Sequence, residues 1–300
     1  MQNSLLLSLP SRIDRVQFRG RSFYVKRDDL IHPCLSGNKY RKLYTLLQTS
    51  SDIYDTVISY GGVQSNAMLA IACLCRLKGW TFHYYTKTLP GYLENRREGN
   101  LEQALEQGMQ LHEVEYAAFQ QKIEELKTFQ QKRTLLISQG GADEIAKAGI
   151  EELAKEINAW RKDEKIENLN VVLPSGTGTT ALYLQGALEK EIRLYTSVLV
   201  GDDTYQLQQW QRLSKGPYPK ILPRDKKRKF AKPYSEYLQM HQELEKQTGI
   251  TFDLIYAPKT WIELLDYFDE DAPILYIHTG GVSGNETMRQ RYRHKESRRG

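Results

Sequence analysis

The sequence predicts an α/β protein with two open, twisted, mainly parallel sheets that are flanked by helices. Short runs rich in β-branched and aromatic residues alternate with helix-length segments along most of the chain, and this alternation is typical of βαβ units. The runs fall into two series, which an amphipathic helix and a polar stretch separate. Glycine-bearing turns follow three of the predicted strands, at the sheet edge where α/β proteins bind ligands.

The first series predicts one of the two sheets. Its strands are predicted at residues 56–60, 81–85, 110–114 and 134–138, and its helices at 66–78, 92–107 and 117–131. Each predicted strand is short and is separated from the next by a helix-length segment, as parallel pairing requires. A further helix, residues 39–49, precedes the series and carries apolar residues at helical spacing.

The second series predicts the other sheet. Its strands are predicted at residues 171–174, 194–200, 220–222 and 274–278, and its helices at 179–188, 204–213 and 235–248. The amphipathic helix 145–159 and the polar run 161–170 join the two series. A chain of 300 residues suits two domains, at roughly 150 residues per domain.

Composition and charge exclude several classes of protein. Hydrophobic residues make up 40% and charged residues 26% of the chain, which fits neither a disordered nor a membrane protein. Six of the 42 Lys/Arg but one of the 37 Asp/Glu lie in residues 288–300, so the net charge of +5 belongs to this tail. We expect the tail to be solvated and partly disordered, the second basic cluster at 224–232 to be a surface loop, and nucleic acid not to be a partner.

The three cysteines are Cys34, Cys73 and Cys75, an odd number without a disulfide framework. We therefore expect free thiols, a reducing compartment and a cytoplasmic location. Cys73 and Cys75 lie in an apolar stretch with no histidine nearby, and the six histidines show no ligand spacing. The sequence thus predicts no metal site.

The turn SGTGTT at residues 175–180 follows a predicted buried strand and opens a helix. Its backbone amides and the positive helix end would bind an anion. The turn lacks the GK[ST] of a P-loop, but Gly176, Gly178 and Ala181 match G-x-G-x-x-A, and Asp202 ends the next strand, which is compatible with a dinucleotide site. The crowded hydroxyls favour a phosphate monoester, and a purely structural turn is the third interpretation.

Lys39 is the candidate reactive group. Asn38 is predicted to cap the helix that begins here, which places Lys39 in its first turn. The positive end of a helix lowers the pKa of a lysine and so favours its neutral, nucleophilic form. The alternative is that Lys39, Arg41 and Lys42 form one solvated face of an ordinary amphipathic helix.

Six motifs then occur in one order along the chain. They are KRDDL at 26–30, SGNKYRKL at 36–43, SYGGVQSN at 59–66, SGTGTT at 175–180, DLIYAPK at 253–259 and HTGG at 278–281. Together they resemble the 1-aminocyclopropane-1-carboxylate (ACC) deaminase and D-cysteine desulfhydrase family of pyridoxal-phosphate enzymes, which have fold type II and are related to the tryptophan synthase β chain. The resemblance runs from about residue 26 to residue 281 and implies a phosphate monoester at residues 175–180.

The resemblance implies pyridoxal 5'-phosphate as the cofactor and a role for each matching residue. Lys39 would form the Schiff base, Asn66 would hydrogen-bond the phenolic oxygen, and Ser65 would assist proton transfer. The implied cofactor-binding residues are Lys39, Asn66, Gly176, Thr177, Gly178, Thr179, Thr180 and Thr279. The implied substrate-binding residues are Gln64, Ser65, Asn66 and Tyr256, and the implied catalytic residues are Lys39, Ser65 and Tyr256.

Three departures from the family pattern bear on the reaction. Ala257 stands where the deaminase has a glutamate that contacts the pyridine nitrogen, Phe230 aligns with a deaminase tyrosine, and Leu254 replaces a proline. Thr279 would then be the remaining contact of the nitrogen, and an unprotonated pyridine is a weaker electron sink. This favours β-elimination, in which the leaving group takes up the electrons, over the opening of a cyclopropane ring.

The resemblance therefore implies a lyase that converts D-cysteine, or a related small amino acid, to pyruvate, ammonia and sulfide. Two alternatives stay open: ACC deamination to 2-oxobutyrate and ammonia, and a catalytically silent protein that binds the cofactor or an amino acid. The resemblance also implies a homodimer, with a small domain at 45–150, a large cofactor-binding domain at 1–44 and 151–300, and the site in the cleft between them. We expect no membrane partner, because the longest apolar run, residues 67–75, is about half the length of a spanning helix.

Overall fold

The computed structural model describes residues 7–94, 98–224, 228–269 and 271–297. The strands in these residues are β1 (Ile13–Phe18), β2 (Arg21–Lys26), β3 (Thr56–Tyr60), β4 (Thr81–Lys87), β5 (Gln110–Val114), β6 (Thr134–Ile137), β7 (Leu169–Ser175), β8 (Ile192–Val198), β9 (Lys220–Ile221) and β10 (Ile274–Ile277). The α-helices are α1 (Asn38–Gln48), α2 (Asn66–Lys78), α3 (Gly91–Glu94), α4 (Asn100–Glu106), α5 (Phe119–Thr128), α6 (Lys147–Asp163), α7 (Thr179–Ala187), α8 (Asp203–Leu213), α9 (Ser235–Thr248), α10 (Ala257–Tyr267) and α11 (Asn285–Ser297).

The strands form two sheets. The larger sheet has the strand order β1-β2-β10-β7-β8-β9, and the smaller has the order β5-β4-β3-β6. β1 and β2 pair antiparallel, whereas the other neighbouring strands pair parallel. The predicted α/β fold with mainly parallel sheets is confirmed. The carboxyl ends of β3, β7 and β10 carry the three glycine-bearing turns that the sequence singles out.

Three parts of the chain differ from the sequence prediction. The sequence does not predict the hairpin of β1 and β2, whose charged residues alternate with apolar ones at the edge of the larger sheet. The helix predicted at 92–107 is two helices, α3 and α4, because Gly99 has a φ of 68° just before α4, a conformation that cannot continue a right-handed helix. Helices α10 and α11 occupy segments for which the sequence predicts no element.

Buried apolar contacts anchor the segments that lead to the glycine-bearing turns. All nine residues from Ala67 to Cys75 are buried, so α2 is a core helix, as an apolar run without a polar face requires. Below the larger sheet, Trp261 of α10 is fully buried and packs edge-on against Phe18 and Phe23 at ring distances of 5.5 and 5.0 Å. Such contacts fix the start of α2 and the body of α10 relative to the sheets.

A buried ion network holds α1 against α6. Arg41 of α1 contacts Asp28 at 2.8 Å and Glu156 of α6 at 2.7 Å, and Lys26 reaches the same glutamate at 2.6 Å. Arg41 and Asp28 are each 1% exposed, so loss of one partner would leave an uncompensated buried charge. Lys42 is also buried. The alternative of a solvated basic face on α1 is therefore wrong, because Asp28 and α6 cover Arg41 and because Lys42 is buried as well.

Two of the three cysteines lie side by side. Cys34, in the loop before α1, and Cys73 of α2 have a Cα–Cα distance of 6.3 Å. Cys75 is a free, buried thiol. The fold thus brings together two cysteines that are far apart in the sequence, a contact that their spacing did not predict.

The basic C-terminal segment is ordered as far as residue 297. Residues 285–297 form α11, and its Met288 and Tyr292 are buried against Leu254. The expectation of a solvated, partly disordered tail is wrong for this stretch, because one apolar face of the helix packs on the protein body; residues 298–300 lie outside the described residues. Within the described part of the chain, no helix is long and apolar enough to cross a membrane.

Candidate active site

Lys39 lies in the first turn of α1, beside the loop that follows β10. Gly37, and not Asn38 as predicted, is the N-cap residue, with a φ of 60°. A Cβ atom at Gly37 would lie 1.9 Å from the carbonyl oxygen of Thr279, so only glycine permits this approach. The Asn38 amide donates to the same carbonyl at 3.1 Å. These contacts place the start of α1 at the carboxyl end of β10.

The chemistry of Lys39 follows from its surroundings. Its ammonium group donates to the side-chain oxygen of Asn38 at 2.7 Å. Burial lowers the pKa of Lys39 to about 8, and the carboxylate of Asp253 opposes this shift. A larger fraction of the amine is therefore neutral near neutral pH than in a solvated lysine, which suits a nucleophile and a proton acceptor.

A cavity of about 380 Å³ lies beside Lys39, within the range of small-molecule sites. Three of the predicted cofactor-binding residues line it, namely Lys39, Asn66 and Thr279. The side-chain oxygen of Asn66 accepts a hydrogen bond from Asn100 at 2.7 Å. Its amide nitrogen lies beside Gly281, where a Cβ atom would approach it to 2.7 Å. The NH₂ group of Asn66 therefore faces the cavity and can donate to an oxygen there.

The predicted phosphate loop, residues 175–180, joins β7 to α7. Gly178 is the N-cap of α7 with a φ of 75°, and Thr179 and Thr180 begin the helix. The hydroxyls of Thr177 and Thr179 lie 3.1 Å apart. The buried hydroxyl of Thr180 has no partner among the described residues, an arrangement that costs free energy unless a ligand supplies one. Hydroxyls and free helix amides at one point fit a phosphate monoester.

Helix α8 holds the phosphate loop from behind. The side chains of Gln206 and Trp210 donate to the carbonyl oxygens of Thr177 and Gly178 at 3.2 and 3.0 Å. A Cβ atom at Gly178 would lie 1.8 Å from Gln206 Nε2, so glycine is required there. Asp202 caps α8 by accepting a backbone amide. That role removes the acidic residue on which the dinucleotide interpretation depends.

Lys42 is a candidate site residue that sequence reasoning missed. Its ammonium group donates to the carbonyl of Gly140 at 2.8 Å and lies 3.4 Å from the hydroxyl of Thr177. Burial lowers the pKa of Lys42 well below its ordinary value, and neighbouring Lys39 acts in the same direction. A bound phosphate would supply the missing counter-charge. The signal in the sequence was a third basic residue one turn after Lys39, on a helix otherwise rich in apolar residues.

The turn after β3, residues 61–66, is held by a neighbouring turn. Gln64 donates through Nε2 to the carbonyl of Glu98 at 2.9 Å and accepts the Asn100 amide at 2.9 Å. Its side chain therefore bridges the two turns, whereas the resemblance predicts that it receives the substrate carboxylate. The backbone of this turn and the positive end of α2 remain as the anion-binding groups.

Ser65 is the N-cap of α2, and a buried tyrosine supports it. Its hydroxyl oxygen accepts the amides of Ala67 and Met68 at 3.2 and 3.4 Å. Tyr84 of β4 donates to the carbonyl of Gly62 at 3.1 Å. Burial raises the pKa of Tyr84, and a hydrogen bond from Ser65 opposes that rise. Tyr84 thus supports the turn through the carbonyl of Gly62, a contact that spacing in the sequence did not indicate.

Tyr256 lies between the phosphate loop and Phe230. Its hydroxyl is close to Gly176, where a Cβ atom would approach it to 3.5 Å, and its ring centroid lies 5.4 Å from that of Phe230. Burial raises the pKa of Tyr256, with Asp253 acting in the same direction, so its hydroxyl stays protonated and can donate. Asp253 accepts the backbone amide of Tyr256 at 2.5 Å. Ala257 is fully buried in an apolar cluster.

Thr279 is held by the turn that follows β10. His278 is fully buried, stacks on Phe252 at 4.9 Å and accepts the Gly280 amide at 3.2 Å. A Cβ atom at Gly280 would lie 2.4 Å from the Ser36 hydroxyl. The backbone of this turn therefore packs directly against the segment that leads to α1, and the side chain of Thr279 lines the cavity.

These residues fit pyridoxal 5'-phosphate. Helix α1 directs Lys39 to the cavity and Lys42, one turn later, to the phosphate loop. The unpartnered hydroxyl of Thr180 lies in that loop. A ligand with an aldehyde at one end and a phosphate at the other would thus meet an amine and an anion site from one helix. Among the described residues, no three His, Cys, Asp or Glu side chains are grouped closely enough to bind a metal ion.

Several curated proteins are similar to this chain over most of its length. The bifunctional D-cysteine desulfhydrase/ACC deaminase of Arabidopsis thaliana is 28% identical, over 93% of this chain and 78% of that protein. The D-cysteine desulfhydrase of Serratia proteamaculans is 28% identical over 88% of each chain. A putative ACC deaminase of Thermotoga maritima is 26% identical over 88% of this chain and 90% of that one. No protein-family model matches the chain.

Solved structures agree on the fold. An ACC deaminase homologue superposes with a TM-score of 0.73 at 22% identity, over 95% of this chain and 94% of the other. A hydrogen sulfide-producing enzyme from Fusobacterium nucleatum superposes with a TM-score of 0.64 at 13% identity, over 94% of this chain and 99% of the other. These similarities establish the fold-type II architecture that the six motifs predict.

Proposed function

We propose that this chain, a member of the D-cysteine desulfhydrase and ACC deaminase family, is a pyridoxal-phosphate-dependent lyase that eliminates a β substituent from a small amino acid. The proposed substrate is D-cysteine, and the proposed products are pyruvate, ammonia and sulfide. The observation that carries the proposal is the pairing on α1 of Lys39 at the cavity and Lys42 at the phosphate loop.

Bound pyridoxal phosphate supplies an electron sink for the charge that forms at Cα when its proton leaves. In our proposal Lys39 would hold the cofactor, and its amine would accept the Cα proton, for which a pKa near 8 is suited. The phosphate loop and Lys42 would hold the phosphate. Asn66 would donate to the phenolic oxygen, and Thr279 would contact the pyridine nitrogen.

The turn after β3 is the proposed binding site of the substrate carboxylate. Its contributors are the backbone amide of Gln64 and the positive end of α2, since the Ser65 amide already donates to the carbonyl of Gly62 at 3.1 Å. Ser65, supported by Tyr84, is proposed to assist proton transfer. Tyr256 is proposed to face the substrate from the phosphate-loop side, where its protonated hydroxyl donates a hydrogen bond.

Two side chains favour elimination over opening of a cyclopropane ring. Ala257 packs in an apolar cluster and offers no carboxylate to hold a proton on the pyridine nitrogen. Phe230 lies against Tyr256 without a hydroxyl of its own. A site with these two residues depends on a leaving group that carries the electrons away, as a β-thiolate does.

The proposal is tested by a product assay on the purified protein with pyridoxal phosphate. We expect pyruvate from D-cysteine and β-chloro-D-alanine, and no 2-oxobutyrate from ACC. L-cysteine and D-serine, assayed beside them, define the enantiomer and the leaving group. Lys39→Ala should abolish both turnover and the visible absorption of the bound cofactor.

Each alternative has its own result in this assay. Formation of 2-oxobutyrate from ACC would establish the deaminase. The Arabidopsis relative is named for both the deaminase and the desulfhydrase activity. Visible absorption without any turnover would establish a silent binder. Absence of that absorption, unchanged in Lys39→Ala, would contradict every interpretation that involves the cofactor.

We also propose a cytoplasmic homodimer with a small domain at 45–150 and a large domain at 1–44 and 151–300. The two sheets support this division, because β3 to β6 pair among themselves and the remaining strands form the other sheet. Sedimentation analysis of the holoprotein measures the assembly, and limited proteolysis between β6 and α6 tests the boundary. A monomer at micromolar concentration would contradict the dimer.

A further inference from the structure

The two basic segments of the sequence meet in the structure. Residues 229–234 and helix α11 form the walls of a groove of about 1470 Å³, with Glu98 at one end. We call this the basic groove. Its described side chains include five from lysine and arginine, namely Lys229, Lys232, Arg291, Arg293 and Lys295, and two carboxylates, Glu98 and Glu286.

The contacts in the basic groove leave most of its positive charge uncompensated. Arg291 donates to the carbonyl of Ala231 at 3.1 Å, and Lys295 donates to that of Pro233 at 2.5 Å. Carbonyl groups orient these cations but do not neutralise them. Among the described residues of the groove, Arg293 forms an ion pair with Glu286 at 3.5 Å. The groove therefore carries a net positive potential that attracts anions.

The basic groove lies beside two residues of the predicted substrate site, Tyr256 and Gln64. Phe230 lines the groove, and its ring contacts that of Tyr256 at 5.4 Å. At the other end, the carbonyl of Glu98 accepts from Gln64. Thr287 of α11 is 7% exposed, and its hydroxyl has no partner among the described residues. The groove thus meets the turn after β3 through Glu98 and the Tyr256 ring through Phe230.

We propose that the basic groove extends the substrates beyond D-cysteine to amino acids whose β substituent is an oxyanion, with a phosphate ester such as O-phosphoserine as the representative. The proposal rests on the lyase function proposed above. An amino acid zwitterion has no net charge, so a positive groove gives it little advantage. A phosphate on Cβ adds a charge near −2, which the lysines and arginines attract and, as the group leaves, stabilise.

The reaction needs no reactant besides the amino acid and water. The Cα–H bond breaks, its proton goes to Lys39, and its electron pair forms the Cα=Cβ bond. The Cβ–O bond breaks, and its electron pair leaves with inorganic phosphate. Water then converts the resulting 2-aminoacrylate to pyruvate and ammonium, so no oxidant or reductant is consumed.

The test compares a charged and an uncharged leaving group in the holoenzyme. Both enantiomers of O-phosphoserine and of β-chloroalanine are assayed for pyruvate at low and high salt, in the wild type and in the double variant Lys229→Glu, Lys232→Glu. We expect the ratio of kcat/KM for O-phosphoserine to that for β-chloroalanine to fall at least about tenfold in the variant at low salt. High salt should remove most of this difference.

Lys190→Glu is the control. Its side chain is 92% exposed and lies just before β8, at the edge of the sheet opposite the candidate site, so a Lys→Glu change there, with half the charge change of the double variant, should leave the ratio as in the wild type. An equal fall in Lys190→Glu, or an unchanged ratio in the groove variant, would overturn the proposal.

A binding measurement separates this proposal from the lyase function. Calorimetry with O-phosphoserine on the holoprotein should give a dissociation constant that rises about tenfold in the groove variant. If β-chloroalanine and D-cysteine give no pyruvate but this difference in binding remains, the lyase function fails and the groove proposal survives as an anion site. Turnover of β-chloroalanine without any binding or turnover of O-phosphoserine overturns the groove proposal alone.

Discussion

The phosphate loop and the turn after β3 are both glycine-bearing turns that open a helix, yet they are held in different ways. In the phosphate loop, α8 holds the backbone carbonyls and leaves the hydroxyls and amides to a ligand. In the turn after β3, the side chains of Gln64, Ser65 and Asn66 are themselves hydrogen-bonded within the protein. The first turn is a preformed anion site, whereas the second depends on neighbours that fix each side chain.

The largest expected effect breaks the phosphate loop at its glycine. Gly178→Ala puts a Cβ atom 1.8 Å from Gln206 Nε2 at a φ of 75°, which strains the backbone and displaces α8. We expect pyridoxal phosphate to bind at least about tenfold more weakly, a loss of at least about 1.4 kcal/mol. An absorbance titration measures this, and thermal unfolding should show a lower Tm.

Gly62→Ala in the other turn is the matched control. A Cβ atom there meets nothing within 4 Å, and the φ of Gly62 is not positive. Cofactor affinity should therefore match that of the wild type within about twofold. Wild-type affinity in Gly178→Ala would show that residues 175–180 do not hold the phosphate.

The second prediction distinguishes binding of the phosphate group of the cofactor from binding of the rest of the cofactor. Lys42→Met removes a buried cation that faces Thr177, so pyridoxal phosphate should bind about tenfold more weakly. Pyridoxal, which lacks the phosphate, should bind as it does to the wild type. Parallel absorbance titrations with the two ligands measure this difference. Lys190→Met serves as the control, and an equal loss for both ligands would place Lys42 away from the phosphate.

The third prediction acts on the turn after β3 alone. Tyr84→Phe removes the hydroxyl that supports Gly62 and Ser65, so kcat/KM should fall about tenfold while cofactor affinity is retained. The free energy of unfolding should drop by about 0.5–1.5 kcal/mol, as expected for the loss of one hydrogen bond, because the Gly62 carbonyl keeps the amide of Ser65 as a donor. Steady-state kinetics and urea unfolding measure the two effects.

Two further variants sharpen the third prediction. Tyr85, the next residue, stacks on His112 from the other face of the strand. The variant Tyr85→Phe should therefore change neither kcat/KM nor the free energy of unfolding. Combining Tyr84→Phe with Ser65→Ala should cost little more than Ser65→Ala alone, because the two hydroxyls act as one unit. Fully additive losses would mean that Tyr84 acts elsewhere.

The smallest expected effect is a pH dependence of the free energy of unfolding. It originates in α1, the helix that carries Lys39 at the cavity and Lys42 at the phosphate loop. The pKa of Lys39 falls from 10.5 to about 8 on folding, so between these values the unfolded apoprotein binds more protons. Its unfolding free energy should therefore rise with pH across this window, and the gain should be lost as the pH falls through about 8. Urea unfolding from pH 7 to 10.5 measures the slope.

Lys39→Met should flatten this rise. Some slope should remain from Lys42, whose pKa burial also lowers, while loss of exposed Lys190 should leave the whole rise in place. Identical slopes in the wild type and Lys39→Met would contradict the lowered pKa.

Sequence patterns predicted the repeated part of the fold and the segments that carry the site. Strands of parallel sheets are buried on both faces, so their apolar runs are recognisable without knowledge of the partners. The hairpin of β1 and β2 was missed because an edge pair with one solvated face reads as a polar segment. α11 was missed because a basic helix that packs through a few residues, such as Met288 and Tyr292, resembles a solvated tail.

The candidate site likewise contains residues that the sequence predicts and residues that it does not. Residues at motif positions, such as Lys39, Asn66 and Thr279, meet at one cavity. The supporting contacts are different. Lys42 lies within the SGNKYRKL motif but acts through a loop near Gly140, and Tyr84 acts through a strand whose sequence carries no motif. Such contacts depend on three-dimensional packing, which one sequence does not encode in any local spacing.

The contact between Gly37 and Thr279 has a consequence for the order of folding. These two residues lie near opposite ends of the chain, and β10, which leads to Thr279, pairs between β2 and β7 in the middle of the larger sheet. Lys39 therefore reaches its place only after this late strand has been inserted, at the cost of closing a loop of about 240 residues. During synthesis, uptake of the cofactor would mark the moment at which the last central strand is in register.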